Sequence, residues 1–120
     1  MAGKIEERAL KIAKKLIKKK YGKFPSKANV GAGCDLTLDK RHFEVKGRRS
    51  SRPPSIPLTK KELETILRQD KSYIYLIYNL KERKPKWKIF NKEKIIKYLL
   101  PNLSVKLSYR LGIPRKLFRK

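Results

Sequence analysis

Hydrophobic and polar positions change period several times along the chain, and each change marks an element. From Lys4 to Lys20, Ile5, Ala9, Ile12, Ala13, Leu16 and Ile17 share one stripe at about 100° per residue, which predicts an amphipathic helix. Glu6 falls inside that stripe, and Glu7 lies at its edge or beyond. "YGKFPSKANVGAG" interrupts the pattern with Gly22, Pro25, Gly31 and Gly33 and reads as a loop. From Asp35 the period drops to two. "DLTL" and "HFEVK" put Leu36, Leu38, Phe43 and Val45 on one side, with Asp35, Thr37, His42, Glu44 and Lys46 on the other. A tight turn at Asp39 and Lys40 then pairs Leu36 with Phe43 and sets Asp35 opposite Glu44.

"GRRSSRPPSIP" reads as an irregular basic loop. "LTKKEL" carries a full helix-start signal: Thr59 as N-cap, Glu62 completing a capping box, and Leu58 with Leu63 as a staple. That helix is predicted to end near Asp70. "SYIYLIYNL" is apolar and aromatic almost throughout, the pattern of a central strand covered on both faces. "KWKIF" follows as a neighbouring strand after a turn around Pro85. Asn91 is placed to cap a third helix, "KEKIIKYLL", stopped by Pro101. The tail alternates Leu103, Val105, Leu107, Tyr109 and Leu111, a strand pattern suited to a sheet edge or a pairing surface. "IPRKLFRK" reads as a loose basic end, over about residues 112–120. The whole predicts one mixed α/β domain over residues 1–120, with a central mixed sheet of four to five strands flanked by helices.

Charge narrows the class of partner. Thirty-four Lys and Arg stand against 10 Asp and Glu, a formal net charge of +24. That much like charge repels itself in a compact state, and a polyanionic partner relieves it. The basic residues are spread over the chain rather than along one amphipathic helix, which favours nucleic acid over a membrane surface. No run of about 18 apolar residues and no signal peptide is visible, so a cytoplasmic protein is expected. Cys34, the single cysteine, has no partner for a disulfide or a zinc knuckle.

With so few acids, two facing each other on a hairpin need a reason, because like charges directly opposite destabilise a sheet. A divalent cation supplies one: Mg²⁺ or Mn²⁺ takes one or two carboxylates and leaves positions for water and phosphate. Asp35 and Glu44, with the backbone carbonyl of Val45, are the candidate ligands. Lys46 projects on the same face, where it can hold a water, help deprotonate it, or neutralise charge on a phosphate. Arg48, Arg49, Ser50 and Arg52 follow at once as candidate grips on a nucleic-acid backbone. Lys60 and His42 are further candidate contacts. Tyr73, Tyr75, Tyr78 and Trp87 sit in apolar strands, where core is the ordinary role and base stacking the rarer one. The competing assignment is a basic nucleic-acid-binding protein without catalysis, DNA-binding or RNA- or ribosome-associated, with Glu44 paired to Lys46 or to an arginine across the strand.

"GCDLTLDKRHFEVKG" resembles the active-site signature of the PD-(D/E)XK nuclease superfamily, with Asp35 as the first acid and Glu44-Val45-Lys46 as the second element; Cys34 stands where proline is usual. "EVKGR", "LTKKELE" and "SYIYLIYNL" are similar, in order and rough spacing, to the small nuclease-like domain at the C-terminus of NO VEIN proteins, over roughly Ile5 to Phe90. The resemblance implies a restriction-endonuclease-like core and Mg²⁺-dependent endonuclease activity, with DNA as the first expectation for substrate. It also implies a further metal-site acid on the first helix, for which the stripe favours Glu6. Archaeal Holliday-junction resolvases share the superfamily, so structure-specific cleavage and a homodimer enter as expectations.

Overall fold

The computed structural model describes residues 3–29, 31–105 and 109–118. The chain opens with α1 (Gly3–Tyr21), whose fully buried residues Ala9, Ala13 and Ile17 lie on the predicted stripe. Short strand β1 (Ser26–Lys27) precedes β2 (Leu36–Leu38) and β3 (Arg41–Gly47). Then come β4 (Ser55–Leu58), α2 (Lys60–Arg68), β5 (Ser72–Tyr78) and β6 (Lys86–Asn91). A short helix α3 (Lys92–Lys94), strands β7 (Leu103–Ser104) and β8 (Tyr109–Gly112), and a 3₁₀ turn (Arg115–Phe118) complete the fold.

Five strands form one mixed sheet in the order β1-β2-β3-β5-β6, and three form a second in the order β4-β8-β7. Within the first sheet only β3 and β5 run parallel. Parallel neighbours need a crossover, and β4 with α2 supplies it. Successive residues of β5 point to opposite faces, so its apolar run feeds two cores. Tyr75 and Ile77 join Phe43, Leu36 and Leu80 under α1. Ile74, Leu76 and Tyr78 join Ile56 and Leu58 of β4, Leu63 and Ile66 of α2, and Leu111 of β8.

The β2–β3 hairpin keeps the predicted register, with Leu36 opposite Phe43 and Leu38 opposite Arg41. Asp39 and Lys40 turn the chain at φ 47° and 66°, the left-handed pair of a type I′ turn. The capping box of α2 is formed in both directions between Thr59 and Glu62. Gly47, which ends β3, allows α1 to lie directly on the strand: a Cβ there would stand 2.8 Å from Ala9 Cβ.

Four expectations are corrected. "SIPL" is not irregular loop but strand β4, pairing antiparallel with β8. The alternating tail forms two strands rather than one: β7 is an edge of the small sheet, as the pattern suggested, and β8 is its middle strand, paired on both sides within the chain; Leu107 lies outside the described residues. The basic end is anchored over residues 113–118, since Ile113 is buried and Phe118 packs edge-on to Tyr78 at 5.5 Å. The helix after Asn91 begins as predicted, capped by the Asn91 side chain, but loosens into a π turn in which Leu100 N–H donates to Ile95 O. Pro101 then sits in a 3₁₀ turn instead of stopping an α-helix.

Candidate active site

The C-terminal half of β3 lines a cleft of about 540 Å³. Glu44, Val45, Lys46, Gly47 and Arg48 form its floor, α1 contributes Glu6 and Glu7, and Asp35, Pro57 and Glu62 close the rest. Glu44 and Lys46 are two apart on β3 and so project to the α2 side of the sheet, where Glu62 meets them. Lys46 Nζ lies 3.5 Å from Glu44 Oε1 and 3.1 Å from Glu62 Oε1.

Asp35 is beside Glu44 but not squarely opposite it. The ladder of β2 begins at Leu36, and Asp35 N–H donates to Phe43 O at 3.0 Å, a bulge-like shift of one residue. The shift lets Asp35 Oδ2 accept the Val45 N–H at 2.7 Å. Two carboxylates held squarely opposite would gain no such donor and repel more, which accounts for the departure from the predicted pairing.

Glu44 is only 2% exposed, and its Oε2 has no hydrogen-bond partner. Burial, hydrogen bonding with Asp35 and Glu62, and the Asp35 charge push its pKa up to about 11, against the lowering effect of Lys46. The protein's own groups therefore leave Glu44 protonated unless a cation takes the proton's place. Burial alone would lower the Lys46 pKa, but Glu44, Glu62 and Asp35 outweigh it and the net shift is upward. Lys46 keeps its charge, which suits neutralising a phosphate more than abstracting a proton from water. Burial alone would raise Glu62; its hydrogen bonds with Glu44, Thr59 N–H and Lys46 hold it below the ordinary value. The Cys34 thiol is pushed up to about 11 by burial and by Glu44 and Asp35, so it stays protonated and unreactive.

This donor set fits Mg²⁺ or Mn²⁺. Among the described residues no group of three or more His, Cys, Asp or Glu is gathered as a metal site. Mg²⁺ does not require one: two carboxylates with water and phosphate suffice. The orphaned Glu44 Oε2 beside Asp35 is the atom such a cation would satisfy.

The other sequence candidates divide. Arg48 lines the cleft, and with Arg49, Ser50 and Glu6 it also lines an adjoining groove. Glu6 is exposed rather than buried, because the first turn of α1 overhangs the cleft mouth; Glu7 is placed there equally. Arg52 and Lys60 are exposed and line neither cavity. His42 shares the face of Glu44 but lies toward the far end of β3, away from the cleft lining. Glu62 is the cleft residue that the sequence did not single out, since its capping role already explained it. Tyr75 and Tyr78 are core, and Tyr73 stacks on Phe43 at 5.2 Å.

Fold and cleft together define a basic mixed α/β domain built round a carboxylate–lysine cleft. Residues 5–90 match the family model described as Protein NO VEIN, C-terminal, and the chain belongs to that family. Membership is consistent with a nuclease-like or nucleic-acid-related domain. Among curated proteins and among solved structures nothing matches the chain. No helix of the described residues is long and apolar enough to cross a membrane.

Proposed function

We propose that this domain is a divalent-metal-dependent nuclease of the PD-(D/E)XK type, acting on DNA. The observation that carries the reading is the buried Glu44 carboxylate, with an unpartnered oxygen, set between Asp35 and Lys46 at the floor of an open cleft. Asp35, Glu44 and the Val45 carbonyl would hold Mg²⁺ or Mn²⁺. When bound, the cation neutralises both carboxylates and polarises the scissile phosphate.

The chain's own residues supply the rest. Hydrolysis adds water across one phosphodiester P–O bond, the hydroxyl going to phosphorus and a proton to the departing sugar oxygen. Negative charge grows on the phosphate as water attacks, and the Lys46 ammonium, fixed by Glu44 and Glu62, offsets it. Arg48 grips the strand where it enters the cleft. The Arg48–Ser50 segment is held firmly: Arg48 N–H donates to Ile77 O, and the N–H groups of Asn79, Leu80 and Lys81 donate to carbonyls of residues 48–50.

The test is a panel of linear, supercoiled, flapped and four-way-junction DNA, with RNA, incubated with Mg²⁺ or Mn²⁺. Cleavage of at least one substrate is expected. Asp35→Asn and Lys46→Ala abolish it while binding stays near that of the parent; a variant that cuts like the parent removes the assignment.

One observation favours a second reading, a nucleic-acid-binding module without catalysis. Lys46 is already held between Glu62 and a Glu44 that keeps its proton, one cation against one carboxylate, and that arrangement needs no metal. A calorimetric titration separates the two, since this reading expects no Mg²⁺ or Mn²⁺ binding and no nicking of any DNA form.

A further inference from the structure

We infer that Trp87 is a stacking platform for an unpaired base, and that the domain therefore engages single-stranded nucleic acid on the α1-covered face of its large sheet. The inference rests on the nucleic-acid reading above and adds the class of substrate.

Trp87 is the chain's single tryptophan, and it is 48% exposed although it lies within a strand. Its strand, β6, is an edge of the large sheet. The tyrosines of β5 are absorbed by the two cores, and Trp87 is not. Register fixes its position relative to the cleft. Trp87 pairs with Ile77, and Ile77 pairs with Gly47, which lines the cleft. Two strand spacings separate Trp87 from Gly47 across the sheet, about 10 Å. The pairing also puts Trp87 on the same face as Ile77, the face that α1 covers and the opposite one to Glu44 and Lys46. A strand on Trp87 therefore reaches the cleft only by passing round α1.

The surroundings are built for a polyanion. Residues Lys81 to Lys88 include five Lys or Arg and one Glu. Arg8 of α1 ties this hairpin to the helix by donating to Leu80 O at 2.6 Å and to Glu82 O at 3.1 Å. Lys11 and Lys15 continue the ridge that Arg8 begins, at helical spacing. The first turns of α1, which line the cleft, and the hairpin that carries Trp87 are thus joined. A second copy of this chain is a poor occupant, because such an edge would bring lysine against lysine. A nucleic-acid strand offers phosphates to the cations and a base to the indole. Bases stacked inside an intact duplex cannot reach the indole; unpaired ones can.

The test uses the intrinsic fluorescence of Trp87 in the full chain, with EDTA present so that nothing is cleaved. Oligothymidylate, oligouridylate and a blunt duplex of equal length are titrated, and labelled strands report binding by anisotropy. The expected result is quenching by one or both single strands and little by the duplex, with Trp87→Ala weakening single-strand binding about 5- to 100-fold and Trp87→Tyr staying near the parent. Absent quenching, equal quenching by the duplex, or parental affinity in Trp87→Ala overturns the inference. So does a signal that follows protein concentration alone, which marks self-association. Cleavage without quenching removes only this inference; quenching without cleavage removes only the nuclease.

Discussion

Glu44 is the residue at which folding and proposed function pull in opposite directions. Its folded pKa of about 11 stands far above the ordinary 4.5. Between those values the unfolded chain has lost a proton that the folded protein keeps, so stability falls as pH rises through that window. In EDTA the melting temperature is expected to decline between about pH 5 and pH 9, a slope that Glu44→Gln flattens. Added Mg²⁺ is expected to stabilise the parent at the alkaline end and leave Glu44→Gln unchanged; a flat parental profile contradicts the buried-acid account. Glu62 gives a second check. Glutamine preserves a capping box, so Glu62→Gln separates the helix cap from the charge beside Lys46. Its expected effects are a melting temperature near the parent's and cleavage reduced about 10- to 100-fold, the range for loss of a supporting partner.

Among the elements, those written in local chemistry are legible in the sequence. The hairpin announced itself through alternation, and the α2 start through Thr59 and Glu62. What escaped depended on distant partners. Pro57 hid β4, because proline cannot donate to a ladder; the strand is tolerated as an edge, with Pro57 opposite Arg110. Strand β1 is two residues long and has no alternation to detect. The carboxylates and Lys46 were visible in sequence, but nothing linear says that α2 leans Glu62 against β3. Two substitutions test the elements. Gly47→Ala puts a methyl 2.8 Å from Ala9 Cβ and 3.1 Å from Ile5 O. It is expected to cost about 1–3 kcal/mol in chemical denaturation as α1 is forced off the strand. Lys40→Gly relieves a left-handed residue in an exposed turn and is expected to add about 1 kcal/mol.

For the whole molecule, a net charge of +24 makes the medium part of the stability. Screening weakens self-repulsion and also the attraction to phosphate. Raising salt is therefore expected to increase the melting temperature of the free protein while lowering its affinity for DNA; parallel changes in both quantities would contradict a repulsion-limited fold. Residues of both sheets meet in the core on the α2 side, where Leu111, the ladder partner of Ile56, joins Ile113, Leu58, Ile74 and Leu76. The family match ends at residue 90, but the packing does not. Strand β8 holds β4, β4 leads directly into α2, and α2 carries Glu62 to Lys46. A protease that clipped the chain after Asn91 would thus strip the cover from α2's side of the sheet and slacken the cleft, though every residue lining it would still be present.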